Sequence, residues 1–394
     1  MMECLRVLEL YSGIGGMHYA LKESGVAGKV VAAVDVNTTA NEIYRRNFPD
    51  TPLWPKTIEG ITLDEFNKLA FDVILMSPPC QPFTRIGLRG DIADPRTKSF
   101  LYILDLLPRL AVLPRFILLE NVKGFETSSA RESLLQTLKN CGYTFQEIML
   151  SPTSLGIPNS RLRYFLIAKA APGRFSFRTS PEILQSFPWA SERNTSDLNT
   201  ASHTSCPNTC RQEEEVEEDM ERGSVLYKLE TAQDAERKSY QNSDQSVQQI
   251  QDFLEPRMKG EAEEEMASYL LTPKTLLRYA LLMDIVTPAC RRSVCFTKGY
   301  GHYVEGTGSV LQSCVETEME SVFKALDQLS EEEKLQQLVR LKLRYFTPRE
   351  IANLMGFPQS FTFPDQISIK QRYRVLGNSL NVRVVARLLQ LLLS

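Results

Sequence analysis

Six short apolar runs recur through the first 170 residues of this chain, and most of them are separated by enough residues to form a helix. Because each run is apolar at nearly every position, it is typical of a strand buried on both faces of a parallel sheet. Helices in the intervals would cover those two faces. We therefore predict an α/β fold, a doubly wound Rossmann-like domain. The predicted strands are 5–10 (LRVLEL), 30–36 (VVAAVDV), 71–76 (FDVILM), 116–120 (FILLE), 145–150 (FQEIML) and 163–169 (RYFLIAK).

The region after residue 185 breaks this pattern. Residues 191–222 are polar and acidic with few large apolar side chains. They cannot bury enough apolar surface to offset the entropy lost on ordering, so we predict disorder there. The stretch that continues to residue 341 shows no α/β repeat, and we predict a smaller, irregular domain.

Clear helix signals return near the end of the chain. Thr347 can cap a helix that has Pro348 at its first position and Glu350 at its third. The later segment NVRVVARLLQLLL (381–393) places its apolar residues on one helical face. We predict that residues 1–185 and 342–394 form one domain, and that residues 186–341 form the second.

The formal net charge of −3 conceals an uneven distribution. Residues 191–265 hold 19 acidic and 8 basic side chains, whereas the rest of the chain holds 29 acidic and 37 basic ones. The part of the chain with folding signals is therefore basic, which is compatible with a nucleic-acid partner.

The eight cysteines are too few and too irregularly spaced for a disulfide scaffold. The sequence shows neither a secretory signal pattern nor an apolar run as long as a membrane span. We therefore expect a reducing compartment, cytosolic or nuclear, and no membrane association.

The first predicted strand leads into YSGIGG (11–16), a glycine-rich turn before a helix. Glycines let a ligand approach the backbone closely, although they also occur in strand–helix turns that bind nothing. His18 occupies the third glycine position of the dinucleotide-binding fingerprint, so the turn does not match that fingerprint. Asp35, after the second strand, can accept hydrogen bonds from ribose hydroxyls, and Val36 can pack on an adenine. These features favour an adenosyl ligand over NAD.

Cys80 follows the third predicted strand, in the segment SPPCQPF (77–83). It therefore lies at the carboxyl edge of the sheet, where open α/β folds bind their ligands. The neighbouring prolines restrict the backbone. Cations or helix N-termini can activate a thiol at this edge as a nucleophile, whereas a lone buried cysteine is usually inert.

Further polar groups border other strands of the same sheet. Glu120 ends the fourth predicted strand, where a carboxylate serves either in acid–base catalysis or as a helix cap. Arg161 and Arg163 open the sixth strand and alternate toward one face, where they hold a phosphate or a base, or form a solvated strand end. The convergence of these groups with Cys80 at one edge favours a catalytic site.

The order of these motifs resembles that of the cytosine-5 methyltransferase family. The matching segments are the glycine turn (11–16) for the cofactor motif, PCQ (79–81) for the nucleophile motif, ENV (120–122) for the base-binding motif, NSRLR (159–163) for the Q-x-R-x-R motif, and GNSL (377–380) for the terminal motif. The chain departs from the family at Tyr11, where phenylalanine is usual, and at Asn159, where the motif has glutamine.

The resemblance implies an S-adenosylmethionine-dependent methyltransferase domain, with S-adenosylhomocysteine as product, and a target-recognition domain in the second region. It implies that Cys80 adds to carbon 6 of a cytosine and that Glu120 protonates or hydrogen-bonds ring nitrogen 3. Arg161 and Arg163 would support these groups electrostatically. The expected cofactor contacts are Ile14, Gly15, Gly16, Asp35, Val36, Ile58, Glu59, Ser77, Asn378 and Ser379.

The compact length, the segment CFT (295–297), and the stretches LLENVKGFE and SPTSLGIPNSRLRYFLIAK resemble a small branch of this family. Members of that branch modify a cytosine in the anticodon loop of tRNA-Asp, at tRNA position 38. The resemblance therefore implies tRNA as the partner of this chain, and we expect a monomer.

Basic residues outside the catalytic motifs are candidates for contacts with the substrate. The segment TRIGLRGD (84–91) combines glycines with arginines, so we predict a mobile lid, with an ordinary solvated loop as the alternative. The expected substrate contacts are Arg85, Arg89, Arg291, Arg292, Cys295, Lys298 and Arg372, with Arg344, Lys370 and Arg374 as further candidates.

Three alternatives compete with this interpretation. The same reaction on DNA would use the same catalytic motifs. A non-catalytic RNA-binding scaffold is disfavoured because Cys80, Glu120 and Arg163 are all present. A zinc nucleobase deaminase is disfavoured because the Pro-Cys pair lacks the second cysteine of its motif. We expect no metal site, since the only tempting set lacks a clear fourth ligand; that set is His203, Cys206 and Cys210.

Overall fold

The computed structural model describes residues 4–80, 83, 91–188, 232–256, 266–304 and 306–394. Three features considered from the sequence therefore lie outside the described residues. They are the segment 191–222, the three residues weighed as zinc ligands, and most of the predicted lid, including Arg85 and Arg89.

The main sheet contains the six predicted strands and one more, Leu53–Trp54, which was not predicted. Its strands are β1 (Leu5–Leu10), β2 (Gly28–Val34), β3 (Leu53–Trp54), β4 (Val73–Met76), β5 (Phe116–Val122), β6 (Tyr143–Leu150) and β7 (Arg163–Ala170). Within the described residues they pair in the order β3-β2-β1-β4-β5-β7-β6. The first five strands run parallel to one another. The predicted α/β fold is thereby confirmed.

One strand, β7, departs from the predicted parallel arrangement, whereas β6 keeps the direction of β5. β7 pairs antiparallel with both β5 and β6. The connection 151–162 contains a single 3-10 turn, Pro152–Leu155, and no α-helix that could carry the chain back across the sheet. The chain therefore reverses direction, and the start of β7 comes to lie beside the end of β5.

Helices cover both faces of the sheet. They are α1 (Gly16–Glu23), α2 (Thr38–Asn47), α3 (Leu63–Leu69), α4 (Lys98–Leu106) and α5 (Ser129–Asn140). Val7 and Leu8 are adjacent in β1, yet they belong to two different hydrophobic cores because their side chains point to opposite faces. This burial on both sides explains why the strands are almost continuously apolar.

The second region forms a small sheet with a core of its own. Its elements are α6 (Ala232–Ser243), α7 (Pro273–Tyr279), β8 (Ile285–Val286), β9 (Val310–Gln312), α8 (Met319–Ala325), α9 (Glu331–Arg340) and β10 (Leu343–Arg344). The small sheet has the order β10-β9-β8 among the described strands. It includes residues 343–344, which come three positions or fewer after the predicted boundary at 341.

Arg344 belongs to the interior and not to an RNA-binding surface. Its side chain is only 2% exposed, and it donates two hydrogen bonds to Glu350, each 2.7 Å long. A buried guanidinium needs such a partner because an unpaired buried charge is strongly destabilising. The suggestion that Arg344 contacts the RNA backbone is therefore wrong.

The C-terminal segment returns to the main domain. Its helices are α10 (Pro348–Leu354), α11 (Ile369–Gly377) and α12 (Val382–Leu393). Thr347 and Glu350 form the predicted capping box of α10. α12 packs against α1, β5 and β7, which brings the turn at 377–380 to the edge of the sheet.

Among the helices described, none combines the length and apolarity needed to span a bilayer.

Candidate active site

A cavity of about 350 Å³ lies at the carboxyl edge of the main sheet. Its lining comes from the glycine turn after β1, the residues that follow β2 and β4, the end of β5, the start of β7, and the turn between α11 and α12. This volume lies within the range of about 300–1,000 Å³ that small-molecule sites occupy. The cavity therefore draws residues from all five sequence motifs.

Asp35 fixes the shape of the glycine turn. Its Oδ2 accepts a hydrogen bond from the Gly13 amide at 2.8 Å, and its Oδ1 accepts one from the Asn37 amide at 2.7 Å. Burial raises the pKa of Asp35, and these N–H donors act in the opposite direction. Each carboxylate oxygen has a second acceptor site, so Asp35 can also accept hydrogen bonds from a ribose.

The last two glycines of the turn permit close packing. Gly15 has a φ of 86°, and a Cβ at this position would collide with the ring of Phe48, which stacks on His18. A Cβ on Gly16 would lie 3.1 Å from Ser379 Oγ. Gly15 therefore supports the turn from behind, whereas Gly16 lets the C-terminal turn approach the cavity.

Most of the predicted cofactor residues meet at this cavity. Ile58 and Glu59 do not line it within the described part of the chain, because a 3-10 turn at Ile58–Gly60 buries Ile58 in the core and leaves Glu59 exposed. The predicted residues that do line it are Ile14, Gly16, Asp35, Val36, Ser77, Asn378 and Ser379.

Cys80 and Glu120 share one electrostatic environment. Burial and the Glu120 charge raise the pKa of the Cys80 thiol, while the charges of Arg163 and Arg161 oppose that rise. Burial also raises the pKa of Glu120, and the charges of Arg163 and Arg161 again oppose the rise. Arg163 Nε lies 3.5 Å from Glu120 Oε1. The site therefore contains a thiol and a carboxyl group whose pKa values respond to the same two cations.

Arg161 links three distant segments beneath the cavity. Its guanidinium donates hydrogen bonds to Cys295 Sγ at 3.1 Å and to the Phe296 carbonyl at 2.9 Å. It also donates to the Gly377 carbonyl at 3.1 Å and to the Ser379 carbonyl. The side chain is only 4% exposed. Arg161 therefore acts on the site mainly by holding these segments together.

Cys295 contacts the arginines rather than open solvent. Its sulfur accepts hydrogen bonds from Arg161 and, at 3.6 Å, from Arg163. Burial alone would raise the pKa of this thiol, but the two charges and their hydrogen bonds outweigh burial and lower it. Cys295 is predicted from the sequence to contact the substrate, but in the structure its sulfur is a hydrogen-bond partner of Arg161 and Arg163.

Arg291 and Arg292 have protein partners instead of the predicted nucleic-acid contacts. Arg291 donates to the Val247 carbonyl and to Gln245 Oε1. Arg292 is only 5% exposed and donates to Asp284 Oδ1 at 2.6 Å. Their side chains are therefore committed to the fold of the second region, and the structure contradicts a direct substrate role.

The other predicted substrate contacts differ in exposure. Lys298 is exposed, as a phosphate contact requires. Arg372 instead donates to the Ile367 carbonyl at 2.8 Å and lies over the ring of Phe363. This half-buried guanidinium therefore stabilises the segment that precedes α11, and its contacts with Ile367 and Phe363 reduce its accessibility to a substrate.

Tyr11 and Arg96 are among the cavity residues that were not predicted as ligand contacts. Tyr11 has a positive φ of 57° and its hydroxyl donates to Ser99 Oγ at 2.9 Å. Its place within the glycine turn was the available signal. Arg96 lies far from every motif, so no local pattern indicated it.

Asn159, the other departure from the family pattern, donates hydrogen bonds to Ser293 Oγ and to the Val294 carbonyl, and thus joins the two regions.

Known proteins match this chain over nearly its whole length. Residues 5–393 match the family model described as C-5 cytosine-specific DNA methylase. The chain belongs to this cytosine-5 methylase family. The membership confirms the resemblance that the five motifs indicated, and it explains why those motifs meet in one cavity.

Individual relatives support the same assignment. A human protein named tRNA (cytosine(38)-C(5))-methyltransferase is 57% identical over 400 residues, which cover 99% of this chain and 100% of the human protein. A Dictyostelium discoideum protein named DNA (cytosine-5)-methyltransferase is 38% identical over 100% of this chain and 95% of its own length. The solved structure of a Spodoptera frugiperda DNMT2 mutant has a TM-score of 0.76 at 37% identity, with 99% of this chain and 100% of that one covered.

Two substitutions should shift the pKa of Cys80 in opposite directions. Glu120→Gln removes a negative charge beside the thiol, so the pKa should fall; Arg163→Gln removes a positive charge, so it should rise. The rate of iodoacetamide alkylation at Cys80, followed by peptide mass spectrometry across pH, measures both shifts. The exposed Cys4 is the internal control and should be alkylated at the same rate in all three proteins. Shifts of the same sign in both variants would contradict the described electrostatics.

Proposed function

We propose that this protein transfers a methyl group from S-adenosylmethionine to carbon 5 of cytosine 38 in the anticodon loop of tRNA-Asp. The observation that carries the proposal is the convergence of Cys80, Glu120 and Arg163 in the cavity that also contains the glycine turn and Asp35. A nucleophile, a proton donor and a cofactor pocket thus share one space. Membership of the cytosine-5 methylase family supports the choice of reaction.

The residues present fit an adenosyl cofactor. Asp35 offers acceptor oxygens for a ribose, and Val36, 60% exposed at the cavity, offers an apolar face for the adenine. The buried Ser12 Oγ has no hydrogen-bond partner among the described residues, which leaves it available to a ligand. When bound, S-adenosylmethionine supplies an electrophilic methyl group on a sulfonium.

Cys80 and Glu120 would together make carbon 5 nucleophilic. The Cys80 thiolate bonds to carbon 6 of the ring while Glu120 donates its proton to nitrogen 3. The raised pKa of Glu120, caused by burial, favours the protonated acid that this step requires. Arg163 lies beside Glu120 and stabilises the carboxylate that remains.

The remaining steps restore the aromatic ring. Bound S-adenosylmethionine, held by Asp35 and the glycine turn, would supply the methyl group that carbon 5 takes up and would leave as S-adenosylhomocysteine. A base removes the proton from carbon 5, and the electrons of that C–H bond re-form the double bond to carbon 6. The bond from carbon 6 to Cys80 breaks, and nitrogen 3 returns its proton to Glu120. The thiolate and the carboxylic acid are then ready for another cycle.

Two considerations support tRNA as the substrate. Relatives named tRNA (cytosine(38)-C(5))-methyltransferase align with 99% of this chain at 57% identity. In addition, a loop nucleotide is already partly unstacked, so turning it into the cavity costs less than extracting a base from a duplex. The choice of tRNA-Asp rests on the resemblance to one branch of the family. A cytosolic or nuclear location also stays a prediction.

DNA is the second candidate substrate. The Dictyostelium discoideum relative named DNA (cytosine-5)-methyltransferase aligns with the whole chain at 38% identity. The catalytic residues of the cavity would serve cytosine in either nucleic acid, so a direct comparison of substrates must separate the two.

Methyl transfer from radiolabelled S-adenosylmethionine tests this proposal. The wild-type protein should label a tRNA-Asp transcript, but neither a transcript with uridine at position 38 nor duplex DNA at equal salt. Cys80→Ala should reduce labelling by about a thousandfold or more, because the covalent step is lost. Cys4→Ala, which removes an exposed cysteine, is the matched control and should leave labelling unchanged. Full activity of Cys80→Ala, or faster labelling of the duplex, would contradict the proposal.

The structure also separates two residues that sequence analysis assigned alike to the cofactor. Asp35→Ala should weaken S-adenosylmethionine binding by about tenfold or more, since it removes acceptor oxygens for the ribose and the support of the Gly13 amide. Glu59→Ala should change binding little, because that carboxylate is exposed and does not line the described cavity. Isothermal titration calorimetry measures both; the reverse ranking would place the cofactor elsewhere.

A further inference from the structure

The loop that follows Cys295 ends in two exposed aromatic rings, His302 and Tyr303. We propose that Tyr303, supported by His302, is a stacking platform for the base of a nucleotide next to the target cytosine in a single-stranded RNA loop. This inference rests on the proposed function and deepens it, because it assigns a recognition contact outside the catalytic cavity.

The beginning of this loop is attached to the active site. Cys295 Sγ accepts the hydrogen bond from Arg161, and the Phe296 carbonyl accepts another from the same guanidinium. The backbone at Thr297 and Lys298 lies so close to Gly377 that a Cβ on this glycine would collide with it. Gly377 lines the cavity. The loop therefore leaves directly from the rim of the cavity.

Local hydrogen bonds hold Tyr303 in place relative to that rim. Its amide donates to the Gly299 carbonyl at 2.9 Å, and its own carbonyl accepts from Thr307 Oγ1 at 2.8 Å. The ring lies against Gly299, where a Cβ would come within 3.0 Å of Tyr303 Cδ2. Gly299 directly follows Lys298, which touches Gly377. Two contacts therefore connect the exposed ring to the cavity.

The base of the loop is anchored in the interior. Tyr300 is 3% exposed, and its hydroxyl donates to the Ser309 carbonyl at 2.7 Å. Its ring packs edge-on against Phe296 and Tyr373, with centroids 5.0 Å away in both cases. Tyr373 belongs to α11, so the loop is clamped to the main domain. A platform on such a support loses little conformational entropy when a base binds.

The two aromatic rings themselves face solvent. Tyr303 is 64% exposed, and its ring contacts that of His302 edge-on, with centroids 4.6 Å apart. Single-stranded RNA is commonly bound by stacking of unpaired bases on aromatic side chains. Turning the target cytosine into the cavity removes a stacking partner from its neighbour. An exposed ring at the rim can replace the lost partner.

The charges around the loop favour RNA over a protein as occupant. Lys298 is exposed on the loop itself. Lys370 and Arg374 are exposed on α11 and lie one helical turn apart, on the same helix that supplies Tyr373 to the loop. Cations that flank an aromatic platform are typical of sites that track a phosphate backbone.

Fluorescence of 2-aminopurine in an anticodon-loop hairpin tests the platform. The probe is placed on the 5′ or the 3′ side of the target cytosine, and stacking on a protein ring quenches it. Wild type and Tyr303→Phe should quench one of these probes and bind the hairpin equally well. Tyr303→Leu keeps an apolar side chain of similar reach but has no aromatic face, so it should lose the quenching and bind about tenfold more weakly. Tyr240→Leu removes a tyrosine that is 78% exposed on α6 and serves as the matched control, with unchanged quenching and affinity.

The outcomes separate this inference from the proposed function. If Tyr303→Leu keeps wild-type quenching and affinity, the platform is overturned even when methylation of the hairpin proceeds normally. If the wild type fails to methylate the tRNA-Asp transcript, the proposed function fails, whatever the quenching shows. A DNA hairpin of the same sequence is the third arm, because it offers the same base faces. Weaker binding of the DNA hairpin supports RNA as the occupant, and equal or tighter binding overturns that assignment.

Discussion

The guanidinium of Arg161 is the interaction on which the geometry of the site depends. It joins the start of β7 to Cys295 and Phe296 in the second region and to the carbonyls of Gly377 and Ser379 near the C-terminal helix. A charge buried this deeply is tolerated only when hydrogen bonds and nearby negative groups compensate it. Residues more than a hundred positions apart therefore meet because one cation requires them all as partners. The same guanidinium therefore holds both the second region and the C-terminal turn that borders the cavity.

The same cations set the chemistry of the cavity. Burial raises the pKa values of both Cys80 and Glu120, and the charges of Arg163 and Arg161 oppose these rises. A carboxyl group in this environment can carry a proton to a ring nitrogen, while the two arginines offset part of the effect of burial on the nearby thiol. The sulfur of Cys295 accepts hydrogen bonds from both arginines and so helps to fix their positions. In the proposed mechanism, the same two arginines therefore act on both the acid and the nucleophile before a substrate arrives, as electrostatic preorganisation requires.

Sequence patterns that depend on neighbouring residues were predictable, and those that depend on distant partners were not. The strands, the glycine turn and the capping box at Thr347 follow from local periodicity and backbone chemistry. Cys80 and Glu120 could be placed together because parallel strands end at one edge of a sheet. The reversal of β7 could not be predicted, since strand direction depends on how the connection packs. Likewise, nothing local indicates that Arg292 pairs with Asp284 in the interior and not with a phosphate, because both choices satisfy the same cation.

The most direct test of this account is to trap the covalent step. An anticodon-loop hairpin with 5-fluorocytosine at the target position is incubated with S-adenosylmethionine and the protein, and the digested products are analysed by mass spectrometry. Fluorine cannot leave carbon 5 as a proton does, so the ring should remain bonded to the enzyme. The account predicts a methylated adduct on the peptide that contains Cys80. Methylation of the ordinary hairpin with no adduct on the fluorinated one, or an adduct on Cys295 instead, would contradict it.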